Sequence, residues 1–172
     1  MSEPGAQPRA ERPYMPGYGI RETRDGMLDW EEALRRLTET RNFWLATVRP
    51  DGRPHLMPVW AVWHEEALWF SSSLRSRKIR NLLAEPRCSL STEDGNHPVV
   101  VEGRAEIVTG RDRIAAFLAA SNAKYDVDYG PDFLDPAVNA TVRVEPDWAF
   151  ALDEEAFTTS PTRWNFSGTT TD

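Results

Sequence analysis

Sulfur chemistry is almost missing from this chain. One cysteine, Cys88, stands among 172 residues. No disulfide can close within the chain, so its folding does not call for an oxidising compartment. Cys88 sits in an apolar stretch and reads as a buried thiol. Histidine is nearly as scarce. His55, His64 and His97 lack metal-ligand spacing, which predicts no metal site. There is no Gly-x-Ser-x-Gly elbow and no P-loop. No apolar run approaches the roughly 20 residues of a membrane span. The opening residues lack the apolar core of a signal peptide. Positive charge is the minority sign, with 20 Lys and Arg against 27 Asp and Glu and a net charge of -7. Nucleic acid and anionic lipid are therefore poor partners. These absences predict a soluble, cytoplasmic protein, and if it is an enzyme, a cofactor supplies the reactivity.

Tryptophan, by contrast, is abundant, with seven residues. Residues 1–13 are rich in Pro, Glu, Arg and Ala and predict a disordered tail. Asp29 and Glu32 resemble a capping box ahead of a helix over 30–39, with Trp30, Ala33, Leu34 and Leu37 at helical spacing. The period then changes to that of strands. Phe43–Val48, His55–Trp63, Ala67–Ser71, Arg87–Thr92 and a strand from Val99 to about Val108 follow, separated by turn residues. A short helix spans Arg77–Ala84, and Thr109 with Asp112 predicts another helix start. Thr141–Val144 and Trp148–Leu152 read as a last strand or strand pair, interrupted by Pro146. The fold class is mainly β: about six antiparallel strands in a barrel or sandwich, with short helices in the connections. The ordered domain is 14–166, and 167–172 form a flexible stub.

Two features carry chemistry. Arg75-Ser76-Arg77-Lys78-Ile79-Arg80-Asn81 holds four positive charges and no negative one, at the start of a helix behind a serine-rich loop. Free N–H groups at a helix start, with Arg and Lys beside them, suit a phosphate. Ser71, Ser72, Ser73 and Ser76 add hydroxyl donors. A solvated helix face is the alternative reading of such a run. Met57-Pro58-Val59-Trp60 forms the second feature, a flat apolar wall at a position where Pro58 interrupts the ladder. Spacing alone leaves Trp60 open between core packing and a ring-binding wall. Both faces of the His55–Trp63 strand are apolar, which predicts cover on both sides and hence a homodimer.

Taken together, Leu45–His55, Pro58-Val59-Trp60, Ser76–Leu82 and Val100-Val101-Glu102-Gly103 resemble the pyridoxamine 5'-phosphate oxidase-like split-barrel flavoproteins. Within that group the chain is most similar to the flavin/deazaflavin oxidoreductases, many of which use coenzyme F420. The resemblance covers residues from about 14 to 166. It implies a six-stranded antiparallel split barrel, a homodimer, and a cofactor at the dimer interface. It places the cofactor phosphate on Ser76, Arg77 and Lys78, and the ring against Pro58, Val59 and Trp60. Ser71, Ser72, Arg80 and Asn81 complete the expected site. The ending Thr162-Arg163-Trp164-Asn165-Phe166 resembles a family ending with Arg where Asn165 stands, and Trp164 is the expected tail contact. The implied function is hydride transfer from reduced F420 to an unsaturated or conjugated organic acceptor. FMN is the alternative cofactor, and a non-catalytic cofactor-storage protein the alternative class. No catalytic side chain is assigned. Solvent is one expected proton source, and Tyr125 or Lys124 the alternative if residues 121–136 form a lid.

Overall fold

The computed structural model describes residues 7–166. The expected disorder of 1–6 and the stub 167–172 lie outside the described residues. Nine strands make one antiparallel sheet: β1 Arg9–Glu11, β2 Phe43–Val48, β3 Pro54–Val59, β4 Val62–His64, β5 Ala67–Ser73, β6 Arg87–Thr92, β7 Val99–Val108, β8 Asn139–Ala151 and β9 Thr162–Asn165. Among the described residues three α-helices join them: α1 Trp30–Glu39, α2 Arg77–Ala84 and α3 Arg111–Tyr125. The main path runs β1-β9-β8-β7-β6-β2-β3, and β5 branches from β8 with β4 beyond it. The six strands of six residues or more are those of the expected split barrel.

The branch follows from the length of β8. Its first half, Asn139–Val144, pairs with β5 on one edge and, from Thr141, with β7 on the other. Its second half pairs with β7 and β9. Pro146 does not interrupt it, contrary to the sequence reading. The register shifts at Glu102/Gly103, opposite Pro146, so the bend is absorbed by an irregularity in the ladder. Gly103 makes this possible. A Cβ there would lie 2.0 Å from the Glu145 carbonyl oxygen.

The main core lies between the sheet and α1, with Phe43, Leu45, Leu68, Phe70, Val101, Val142 and Trp164 at its centre. A second cluster holds Trp69, Phe117, Leu118, Tyr125 and Leu134. Strand β5 links the two by its period of two: Leu68 and Phe70 enter the first, Ala67 and Trp69 the second. It is β5 that is covered on both faces, whereas Leu56, Met57 and Pro58 of β3 stay exposed in the single chain.

Three sequence expectations need correction here. Arg9–Glu11 is ordered as an edge strand, because β9 offers it a free ladder. Arg12 fastens it by donating to the carbonyls of Thr23, Asp25, Thr159 and Pro161. Neither expected capping box forms. Asp29 makes no side-chain cap, and the Glu32 carboxylate is bonded to Arg35 and Arg36. The cap of α3 is Gly110, not Thr109.

Candidate cofactor-binding site

Three stretches of chain converge on one cleft. The first is a strand break. The expected strand His55–Trp63 is two strands: β3 stays with β2 through Val59, and β4 joins β5 from Val62. Trp60 and Ala61 fall between. Pro58 has no N–H to offer, and the peptide at Ala61 is satisfied by side chains of α3 rather than by a ladder. Its N–H donates to Tyr125 Oη at 2.9 Å, and its carbonyl accepts from Lys124 Nζ at 2.8 Å. Trp60 is 40 % exposed and stacks on the Tyr125 ring at 4.3 Å with 6° between planes.

The second stretch is the end of β5 with the start of α2. Ser76 caps α2 by accepting from the Ile79 N–H at 3.3 Å. The Ser72 hydroxyl donates to Ser76 Oγ at 3.2 Å, and Lys78 Nζ donates to Ser72 Oγ at 3.3 Å. Burial lowers the Lys78 pKa from the ordinary lysine value. Among the described residues Arg77 and Lys78 have no carboxylate partner, whereas Arg53 and Arg87 nearby in sequence are paired with Asp51 and Glu85. His55 lies in the same field. Desolvation first, then the charges of Arg49, Lys78 and Arg77, lower its pKa. Of the basic run, Lys78 is part-buried while Arg75, Arg77 and Arg80 are exposed, in a protein of net charge -7.

The third stretch is α3 and the segment that follows. Phe117, Ser121 and Tyr125 share one face of α3 at a spacing of four. Beyond it, Tyr129 and Phe133 stack at 4.0 Å and 10°. Asn122 holds Tyr129, donating to its carbonyl at 3.0 Å and accepting from its N–H at 3.2 Å. The cleft enclosed has a volume of about 200 Å³. Pro58, Val59, Trp60, Ser71 and Lys78 line its barrel side; Phe117, Leu118, Ser121, Tyr125, Tyr129, Phe133 and Leu134 line the other. No carboxylate is part of the lining.

Of the sequence-predicted residues, Pro58, Val59, Trp60, Ser71, Ser72, Ser76 and Lys78 come together, with Arg77 at the helix start. Three do not. Arg80 is exposed further along α2 and does not line the cleft. Asn81 is fully buried, donates to Thr47 Oγ1 at 2.9 Å and ties α2 to β2. Trp164 is 1 % exposed in the main core, edge-on to Trp30 at 5.4 Å, because β9 is zipped between β8 and β1. Lys124 and Tyr125 are not free proton donors. Tyr125 Oη accepts from Ala61 and donates to the Arg41 carbonyl at 3.0 Å, and burial pushes its pKa up to about 12. Sequence reasoning missed Ser121, Tyr129 and Phe133 of the cleft lining. Only the i, i+4 recurrence of Phe117, Ser121 and Tyr125 was there to be read.

The site therefore offers an open aromatic face, an apolar floor and a desolvated, carboxylate-free cationic end, which fits a planar group carrying a phosphate. A family model described as pyridoxamine 5'-phosphate oxidase matches residues 30–153. The chain belongs to the pyridoxamine 5'-phosphate oxidase family. The family match spans both sides of the cleft, from α1 through β8. A search of curated proteins finds no match. Among solved structures, a conserved hypothetical protein from Mycobacterium tuberculosis is 27 % identical with a TM-score of 0.66, over 78 % of this chain and 91 % of that one. A protein described as an F420 reductase is 33 % identical with a TM-score of 0.52, over 64 % of this chain and 90 % of that one. A heme binding protein from Mycobacterium smegmatis, 22 % identical with a TM-score of 0.55, covers 77 % of this chain and 61 % of its own, and shares the fold. Among the described residues no helix is long and apolar enough to cross a membrane.

Proposed function

We propose that this family member is a cytoplasmic, homodimeric oxidoreductase that uses reduced coenzyme F420 to deliver hydride to an unsaturated or conjugated organic acceptor. The observation that carries the reading is Lys78: a part-buried ammonium with a serine hydroxyl as its partner, next to the open face of Trp60 in one cleft. The likeness to a protein described as an F420 reductase supports the deazaflavin over FMN, as does the number of uncompensated cations around the cradle.

Lys78, Arg77, Ser72 and Ser76 would hold the phosphate, and Pro58, Val59 and Trp60 would wall the ring. When bound, a reduced deazaflavin supplies a hydride. The chain's own task is to hold the acceptor beside that ring and exclude water, which Phe117, Leu118 and Leu134 are placed to do. With Tyr125 and Lys124 committed to backbone groups, the proton that completes reduction comes from solvent.

The test is a titration of the purified protein with F420 and with FMN, followed by turnover with a panel of conjugated acceptors. A colourless protein that binds F420 and reduces an acceptor is the expected result. A yellow protein as isolated, with preference for FMN, transfers the reading to the flavin. Tight F420 binding with no turnover on any acceptor favours a storage role.

A further inference from the structure

Tyr125 is buried, on the cleft, and has both hydrogen-bonding capacities of its hydroxyl filled. Its oxygen accepts from the Ala61 N–H at 2.9 Å. Its proton has two carbonyls in reach, Arg41 at 3.0 Å and Ala61 at 2.9 Å. Lys124 Nζ also donates to the Ala61 carbonyl at 2.8 Å, and to that of Leu37 at 3.3 Å. Two neighbouring residues at the end of α3 thus replace the ladder that Ala61 loses where the sheet changes partner. The Tyr125 ring lies parallel to Trp60, so the same side chain sets the peptide and the ring plane of the residue before it. The Arg41 guanidinium lies against both rings, 5.1 Å from Trp60 and 5.8 Å from Tyr125.

We propose that Tyr125 is the positioning residue of the ring wall: it fixes the strand break and thereby the tilt at which Trp60 presents its face to the cofactor. This rests on the reading of the cleft as a cofactor site, but the clamp itself can be tested without any cofactor. A peptide at a strand break has no neighbouring strand to hold it. A stacked indole on such a peptide would sample several tilts. Anchoring both from a helix removes that freedom before the ligand arrives, which is preorganisation. Tyr125 also ends α3, with Asp126 in the left-handed region at φ 53°. The clamp is therefore continuous with the Tyr129–Phe133 segment on the same side of the cleft.

Tyr125→Phe keeps the stack and removes the hydroxyl. Amide hydrogen exchange at Ala61, followed by NMR, should then accelerate by about tenfold, with the β7–β8 ladder unchanged. A merely structural role would speed both together. The variant's affinity for F420 or FMN should fall by about tenfold, while the shifts of the Ser76 and Lys78 amides on adding inorganic phosphate stay as in wild type. Trp60→Leu removes the stack and leaves the hydroxyl bonds. It should keep slow exchange at Ala61 yet lose affinity for the ring cofactors. This second variant decides the matter if Tyr125→Phe fails to fold. Unchanged Ala61 exchange in Tyr125→Phe overturns the proposal. So does loss of a basic limb from the pH–rate profile of that variant, which would make Tyr125 an acid. If wild type binds neither F420 nor FMN, the functional reading fails, and the exchange experiment still decides the clamp.

Discussion

On the proposed reading, a single ammonium sets how strongly the cleft takes an anion. Lys78 is part-buried and carries no carboxylate, so an arriving phosphate breaks no ion pair. A charge-assisted hydrogen bond contributes roughly 1.5–3 kcal/mol, and each 1.4 kcal/mol is about tenfold in affinity. Lys78→Ala should weaken F420 binding by about tenfold to a hundredfold, measured by titration. Its melting temperature should hold, since no ion pair is broken. Equal affinity in Lys78→Ala and wild type would move the phosphate site elsewhere. Lys124 answers to pH in a defined way. Burial holds its pKa down to about 8, against 10.5 when the chain unfolds. Between those values the unfolded chain binds more protons, so this group makes stability rise with pH across that window. The buried Cys88 thiol and Tyr125 phenol are both pushed up to about 12 and act in the opposite sense. The difference between wild type and Lys124→Met isolates the lysine, and should appear as a pH-dependent gap in urea midpoints that shrinks as pH rises. Gly103→Ala should cost about 1–3 kcal/mol, toward the upper end because the added methyl meets backbone atoms that cannot swing aside. Urea unfolding reads this directly.

At the scale of elements, the hairpin between β4 and β5 carries a cost that can be removed. Glu65 and Glu66 both sit at positive φ, 47° and 56°. That is the type I′ geometry, which Asn-Gly adopts without strain. Each non-glycine residue there gives up roughly 1 kcal/mol. Glu65→Asn with Glu66→Gly should raise stability by about 1–2 kcal/mol, and an unchanged melting temperature would refute the reading. The tail behaves as an element too. The sequence pointed to Trp164 as a ligand contact, so that removing residues 162–172 should cost binding more than stability. Strand β9 reverses that expectation. Trp164, in the main core, and Phe166, at its edge, pack on Trp30 at 5.4 and 5.3 Å. Burying a large aromatic side chain this way is worth roughly 3–5 kcal/mol on truncation to alanine. Cutting the chain after Pro161 should lower the melting temperature sharply, while any folded remainder keeps its affinity for the cofactor.

For the whole molecule, one face asks for a partner. Trp44, Ala46 and Val48 of β2 lie opposite Pro58, Leu56 and Pro54 of β3, on the outward side of the sheet edge. Leu56 is 57 % exposed and Trp44 45 %. An apolar stripe on an edge strand seldom stays bare in a soluble protein. A second copy seated there would also cover the open side of β3, next to Trp60. Light scattering should give a dimer at micromolar concentration. Leu56→Asp should shift it toward monomer and weaken cofactor binding with it. A monomeric wild type would remove the interface from the functional proposal.

Much of this protein was legible in its residues. The order of strands followed from runs such as Phe43–Val48 and Arg87–Thr92, because a period of two bounded by turn residues is a local property. The cationic helix start was legible for a similar reason: four cations without an anion, at a helix start behind serines, form one contiguous stretch. What only the tertiary structure decided depends on residues far apart in sequence. Ala61 is a strand break because Lys124 and Tyr125 reach it from α3, which no window around Pro58 contains. Asn81 left the predicted site because Thr47 claims it, and Trp164 because β8 and β1 close over it. His55 comes into the field of Arg49, Lys78 and Arg77 because folding brings β2, β3 and α2 together. Local pattern determines which elements form and what charge each carries; which side chains face the same few ångströms of space is set by packing between distant segments.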